Sequence, residues 1–336
     1  MGRVVGVGVV GLGRIGVVHS EIFALRVENA KLVAVCDRKE ATAKSIGEKF
    51  GARWYTDYEK MLRDKDLDAV VICTPTFLHT DMIIKAAEEG KHILTEKPMT
   101  VTVDEAKRVL KTVEKAGVKL QVAYMRRFDH AYSKAKKTIE EGKIGKPLLF
   151  IGIARDPAPP PGWAADPKKS GGIFLDMLSH DFDMARWLMS AEVTELYVHG
   201  GAYLYDEIRE KGDLDIVSIS FKFSNEAIGY IHGSRKSTYG YDLRTEVYGS
   251  EGTVFIGCNA DPLFSTGTRE GIVYRGFAWF AGRFYDAYVA EDQHFIECIL
   301  EDKKPLVNGI DGLRAVQIAE AAWKSIREGK PIKIEY

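Results

Sequence analysis

From Val4 to Val10 the chain carries no polar side chain, and glycine follows directly at position 11. An apolar run of this length, bounded by glycine, reads as a strand buried on both faces. Arg14 to Val27 then has the spacing of an amphipathic helix, and Leu32 to Asp37 is strand-like again. The alternation continues with strand Asp68 to Cys73, helix His79 to Gly90, strand Lys91 to Thr95, helix Val103 to Ala116 stopped by Gly117, and strand Lys119 to Ala123. These count as strands one, two, four, five and six of a parallel sheet, with no range assigned to the third.

Past residue 123 the rhythm changes. A helix is predicted over His130 to Glu141, then a Gly145 to Pro147 turn, a strand over Leu148 to Arg155 and the proline-rich loop Asp156-Pro157-Ala158-Pro159-Pro160-Pro161. Consecutive prolines keep that loop extended, as the rim of a cleft or as a spacer. One helix is predicted from Gly172 to Ser190. Strands follow at Val193 to Tyr205, Leu214 to Phe223, Ala227 to Ser234, Asp242 to Gly249 and Thr253 to Gly257, and the helices Arg283 to Leu300 and Gly312 to Glu328 close the chain. The pattern predicts a mostly antiparallel open sheet with a helix on one face. Its other face needs a cover, which predicts a homo-oligomer, a dimer or a tetramer.

The first turn carries the earliest chemical signal. Gly11-Leu12-Gly13-Arg14-Ile15-Gly16 stands between a strand and a helix, and Asp37 follows Gly16 by 21 positions (37 minus 16) at the tip of strand two. Glycines there make a tight turn with room for a pyrophosphate at the helix N-terminus, and the acid can accept hydrogen bonds from a ribose diol. Gly6-Val7-Gly8-Val9-Val10-Gly11 fits the same pattern but lies inside the strand, so Gly6 and Gly8 read as close-packing residues. The fold class is therefore α/β: a Rossmann-type doubly wound parallel domain over 1–122, then an α+β domain with a large open sheet over 123–336 for substrate binding and oligomerisation. The alternative is an α/β domain whose glycine turn binds nothing. Arg38 can stack on adenine or accept a 2′-phosphate, whereas Asp37 argues for NAD.

Composition removes several partner classes. The 336 residues hold 47 Lys plus Arg against 48 Asp plus Glu, a net charge of −1, with no basic block suited to nucleic acid. No stretch has the length of a membrane span, the glycine-broken N-terminus reads as a strand rather than a signal peptide, and Gly6 stands where a myristoylation signal after Met1-Gly2 needs Ser or Thr. Cys36, Cys73, Cys258 and Cys298 form no C-x-x-C pair, which predicts free thiols and a cytoplasmic protein.

Three further segments could carry chemistry. Thr95-Glu96-Lys97-Pro98 follows the fifth strand, at the carboxyl edge where open α/β sheets bind ligands. Lys97 there can steady an alkoxide as hydride leaves carbon, or it is a surface lysine at the start of a loop; Pro98 admits a cis peptide. Asp176 and His180 fall one turn apart on the predicted helix. His180 could take an alcohol proton and Asp176 bind a hydroxyl or tune the imidazole, against the alternatives of a metal pair or a structural salt bridge. Thr74, Pro75 and His79, after strand four, could line the nicotinamide ribose or simply end a strand. Arg126 and Arg127, at the crossing between domains, could serve a polyol or an interface.

Together, Gly11 to Gly16 with Asp37, Glu96-Lys97-Pro98, Gly171-Gly172 through Asp176 and His180, and Gly249 to Gly252 resemble the glucose-fructose oxidoreductase, inositol dehydrogenase and rhizopine-catabolism (Gfo/Idh/MocA) family. Within it, Tyr124 to Asp129, Arg155-Asp156-Pro157, Phe174 to Met177 with His180 to Asp183, and Tyr239 to Asp242 are most similar to inositol 2-dehydrogenases. The resemblance implies NAD as cofactor, held by Gly11, Gly13, Arg14, Ile15, Gly16, Asp37, Arg38, Thr74, Pro75, His79, Glu96 and Lys97. It implies Lys97, Asp176 and His180 as catalytic residues, no metal, and Arg126, Asp156 and Tyr241 as further substrate contacts. The activity implied is oxidation of one secondary hydroxyl of a cyclic polyol, myo-inositol first. Alternatives are another inositol isomer, an aldose, NADP use, or a nucleotide-sensing protein that has lost its chemistry.

Overall fold

The computed structural model describes residues 3–160, 162–257, 265–269, 271–274 and 277–336; Met1, Gly2, Pro161 and Cys258 lie outside them. The chain divides into two compact units, residues 1–125 with 286–313 and residues 126–285 with 314–336.

In the first unit, β1 (Val5–Val10), β2 (Ala30–Cys36), β3 (Arg53–Tyr55), β4 (Ala69–Ile72), β5 (His92–Glu96) and β6 (Leu120–Ala123) form a parallel sheet in the order β3-β2-β1-β4-β5-β6. The order reverses direction beside β1, the topological switch point of a doubly wound sheet. The unassigned third strand is β3, three residues that are mostly exposed and so carry no apolar signature. β1 is buried throughout, as its composition requires. A Cβ on Gly6 would stand 1.8 Å from the Asp66 carbonyl oxygen and one on Gly8 2.7 Å from Leu67 Cδ1, so both glycines are close-packing residues.

The sequence reading placed everything after residue 122 in the second domain. Instead, residues 286–313 join the first unit, where Val122 N–H donates to the Val307 carbonyl and a Cβ on Gly309 would press on Leu110 and Leu120. Helical periodicity locates an apolar face without naming the surface that receives it.

The second unit is built on β7 (Pro147–Arg155), β8 (Val193–Gly201), β9 (Ile216–Phe223), β10 (Ile228–Ser234), β11 (Asp242–Gly249), β12 (Thr253–Ile256) and, beyond the separate hairpin β13 (Ser265–Thr268) and β14 (Gly271–Tyr274), β15 (Ile332–Lys333). Its seven strands run β12-β11-β7-β10-β9-β8-β15, antiparallel except for β7 with β10. One face buries Phe150, Val217, Ile219, Phe221, Ile231 and Val247, and Leu178, Phe182 and Leu188 are buried beside the sheet. Ile228, Tyr230, Tyr248 and Phe255 are exposed on its strands.

Two predicted elements change. β8 stops at Gly201 instead of Tyr205 because the Asp215 carboxylate captures the N–H groups of Tyr203, Leu204 and Tyr205 at 2.7–3.0 Å, removing them from any ladder. The single helix expected over Gly172 to Ser190 is a π-helical turn, Ile173–Met177, followed after Leu178 by the α-helix Ser179–Met189.

Candidate active site

The three glycines of the first turn meet three different constraints. Gly11 has φ +86°, a left-handed conformation that glycine adopts without strain, and its Cβ would lie 2.7 Å from the Cys73 backbone. At Gly16 a Cβ would stand 1.9 Å from the Gly11 carbonyl oxygen, so helix Arg14–Leu25 can sit this close to the turn only without a side chain. Gly13 meets nothing within 4 Å. That opening, at an N-terminus with no side-chain cap, leaves exposed backbone donors for an anion. Arg14 is exposed and Ile15 half-buried beside it.

Asp37 does more than the sequence reading assigned. Its Oδ2 accepts from Leu12 N–H at 2.9 Å and its Oδ1 from Lys39 N–H at 2.9 Å, so the half-buried carboxylate ties strand two to the glycine turn. Arg38 beside it is exposed. These residues fit a dinucleotide: a turn open at Gly13, a helix N-terminus, and a fixed acid at the neighbouring strand tip.

Both ring nitrogens of His79 face main-chain carbonyls. Nδ1 lies 2.8 Å from the Pro98 carbonyl and Nε2 2.7 Å from the Thr74 carbonyl, and burial holds its pKa below the ordinary value. It braces the half-buried Thr74-Pro75 turn against the loop after β5, a structural part beside the cofactor contact that the resemblance implies for it. Lys97 is half-buried at that loop, the Lys97–Pro98 peptide is cis, and the Lys97 N–H donates to Glu96 Oε2 at 3.1 Å. Glu96 also points inward, its Oε1 lying 3.2 Å from Nε2 of the buried His19.

In the second unit the π-turn carries Asp176, and the helix that follows carries His180 in its first turn, so the one-face argument from an unbroken α-helix does not apply to them. Gly172, at φ +67°, opens this turn; a Cβ there would collide with Asp213 Oδ1 and Trp323. Asp213 accepts from Ile173 N–H at 2.9 Å and from Arg235 Nη2 at 2.9 Å, while Arg235 Nη1 donates to Asp176 Oδ2 at 3.2 Å. Arg235 is buried, and sequence reasoning missed it because nothing local marks an arginine as the partner of a carboxylate 59 positions away. Among the described residues, no group of three or more His, Cys, Asp or Glu side chains is placed to share a metal ion.

Arg126 is fully buried, and its Nη1 donates to Asp181, the residue after His180 in the chain, at 3.0 Å. Arg127 pairs instead with Asp183 through Nε at 2.9 Å and lies over the Trp187 ring, so the two neighbouring arginines have separate carboxylates. The Tyr241 phenol is held protonated by burial; Arg126, which hydrogen-bonds it, pulls the other way, and the Asp156 and Asp181 charges reinforce burial. The structure thus brings Arg126, Asp156, Asp181 and Tyr241 into one polar cluster. Asp156 stands just past β7, its N–H donating to the Ser234 carbonyl at 2.9 Å.

Comparison with known proteins supports this reading. Residues 5–124 match the oxidoreductase family with an NAD-binding Rossmann fold, and residues 132–255 match the GFO/IDH/MocA C-terminal domain. The chain is 40% identical to scyllo-inositol 2-dehydrogenase (NAD(+)) of Bacillus subtilis over 97% of its own length and 95% of that protein's. It is 37% identical to myo-inositol 2-dehydrogenase of Thermotoga maritima, covering 98% of each. The crystal structure of scyllo-inositol dehydrogenase from Lactobacillus casei with bound NAD(H) and scyllo-inositol superposes with a TM-score of 0.91 at 28% identity, covering 98% of this chain and 99% of that one. With full-length identity at this level and both halves matched, the chain belongs to the GFO/IDH/MocA family of NAD-binding oxidoreductases.

Proposed function

We propose that the enzyme oxidises myo-inositol at one secondary hydroxyl to the ketone, with Lys97, Asp176 and His180 as its catalytic residues. The observation that carries the reading is the polar cluster Arg126, Asp156, Asp181 and Tyr241, in which Asp181 follows His180 in the chain: a cyclitol has almost no apolar surface, and these groups offer donors and acceptors already held in place. NAD, when bound, supplies the hydride acceptor. His180 takes the hydroxyl proton, Lys97 steadies the negative charge that develops on the oxygen, and Asp176, fixed by Arg235, accepts from a neighbouring hydroxyl. Gly11, Gly13, Gly16 and Asp37 hold the dinucleotide, and Asp37 favours NAD over NADP.

Scyllo-inositol is the second reading, supported by a relative of that name at 40% identity. Steady-state NADH formation with myo-inositol, scyllo-inositol, other inositols and aldoses, each with NAD and NADP, separates the two. A kcat/KM at least tenfold higher for myo-inositol with NAD supports the first reading. A preference for scyllo-inositol replaces it, and no turnover of any cyclitol removes both. The exposed face carrying Ile228, Tyr230, Tyr248 and Phe255 supports assembly with further copies of the chain, tested by light scattering on Tyr230→Glu. Among the described residues no helix is long and apolar enough to cross a membrane, and the buried free thiols of Cys36, Cys73 and Cys298 support a cytoplasmic location.

A further inference from the structure

Two buried carboxylates of the first unit meet at one imidazole. His19 lies on helix Arg14–Leu25, six residues beyond Gly13 (19 minus 13), and its side chain is fully shielded from solvent. Its Nδ1 stands 2.9 Å from both carboxylate oxygens of Asp292, on the helix Phe280–Leu300, and its Nε2 stands 3.2 Å from Glu96 Oε1 at the end of β5. The Tyr288 ring packs edge-on against the imidazole at 5.6 Å between centroids.

An ionised carboxylate only accepts, and a neutral imidazole has one N–H. With an ionised carboxylate at each nitrogen, both contacts are hydrogen bonds only when both nitrogens carry protons; burial raises the Asp292 pKa, and the His19 charge and hydrogen bond oppose that rise. Burial by itself lowers the His19 pKa, but the Asp292 and Glu96 charges and hydrogen bonds outweigh it and hold the ring well above its ordinary value. Other titratable groups at this place are the Tyr288 phenol, the buried Glu291 and the Cys73 thiol just past β4; burial keeps that thiol protonated, with Glu96, Asp292 and Glu291 acting in the same sense. The second oxygen of Glu96 accepts the Lys97 N–H at 3.1 Å. The hydrogen bonds therefore run without a break from Asp292 through His19 and Glu96 to the main chain of Lys97, joining the helix behind the glycine turn to the loop after β5.

We propose that His19 is a positioning residue for Lys97, acting through the Glu96 carboxylate, with both of its ring nitrogens protonated. The inference rests on the catalytic role given to Lys97 above and adds the device that sets its backbone. Removing the ring frees Glu96 to turn, and a displacement of an ångström at a reacting group costs on the order of a hundredfold in rate.

Three measurements on the full-length enzyme test this. In His19→Gln, kcat for myo-inositol should fall about 10- to 100-fold while the Kd for NADH stays within threefold. The decisive arm is the double-variant cycle: if His19 works through Lys97, His19→Gln should add little to the loss already present in Lys97→Ala, whereas a general effect on folding multiplies the loss again and overturns the proposal. Nitrogen NMR of the histidine side chains, with His19 assigned by its absence in His19→Gln, should show two protonated ring nitrogens from pH 6 to 8; a neutral ring at pH 7 overturns the charge assignment. If the wild-type enzyme turns over no cyclitol, the proposed function fails by itself. Hydrogen exchange at the Lys97 amide, faster in His19→Gln than in wild type, then decides whether His19 positions that loop.

Discussion

Gly13 and Gly16 lie three positions apart, yet replacing each by alanine should have opposite consequences. A methyl group at Gly16 would sit 1.9 Å from the Gly11 carbonyl oxygen, well inside contact distance, so the helix or the turn must move by more than 1 Å. Overpacking of this kind costs about 1–3 kcal/mol or more, equivalent to a fall in Tm of roughly 2–10 °C. Gly13→Ala meets no atom within 4 Å, and its backbone, φ −73° and ψ −165°, is extended and open to any residue. Its cost to folding is limited to a few tenths to about 1 kcal/mol at the helix cap, so Tm should move by no more than about 4 °C. The methyl does fill the opening through which a pyrophosphate would approach the backbone donors. Losing hydrogen bonds to a charged group at about 1.5–3 kcal/mol weakens binding roughly 10- to 150-fold. Differential scanning fluorimetry supplies Tm, and NADH fluorescence titration supplies Kd. Gly13→Ala binding NADH as tightly as wild type would refute the assignment of this turn to the cofactor, and Gly16→Ala with an unchanged Tm would refute the packing argument.

Other expectations follow from the same geometry. His180→Ala should keep the Kd for NADH and lose kcat by about 10²–10⁴, the usual contribution of a general base; full turnover in single-turnover mixing would remove His180 from that role. Asp37→Ser should raise the KM for NAD at least tenfold and narrow the preference over NADP, because it removes the carboxylate and releases the Leu12 N–H; an unchanged NAD/NADP ratio of kcat/KM contradicts this. Asp183→Asn removes the negative charge that faces the buried Arg127 guanidinium and should cost about 3–5 kcal/mol in urea unfolding while leaving kcat near wild type under folded conditions. The His19 pKa is raised in the folded state, so its stabilisation is complete below the unfolded value near 6.5 and is lost as pH rises through the folded value. The stability gap between wild type and His19→Gln should therefore shrink on going from pH 6 to alkaline pH, and a gap that widens reverses the sign of the argument.

What could be read from the chain alone follows the range over which each constraint acts. The glycine turn was legible because Gly11 and Gly16 answer to backbone within their own strand-turn-helix unit or the adjoining strand, and five of the six parallel strands were legible because burial on both faces favours a run of apolar residues, with Thr95 in β5 and Gln121 in β6 as polar exceptions. β3 escaped because a three-residue, mostly exposed edge strand has no such run. Lys97 could be singled out from its place at the end of β5, but the chain of hydrogen bonds beneath it could not: His19 and Asp292 are 273 positions apart, and neither has a sequence neighbour that hints at the other. The same holds for Arg235 with Asp176, and for residues 286–313, whose helical pattern is silent about which unit receives them. His79 shows the converse case. It is singled out by its position after β4, and the structure adds that its two nitrogens face the Thr74 and Pro98 carbonyls, a local bracing role that the sequence does not show. Local sequence thus marks where a reacting side chain can stand, and the pairs that hold it there are set by tertiary burial, where an unpaired charge would cost more than any local preference could offset.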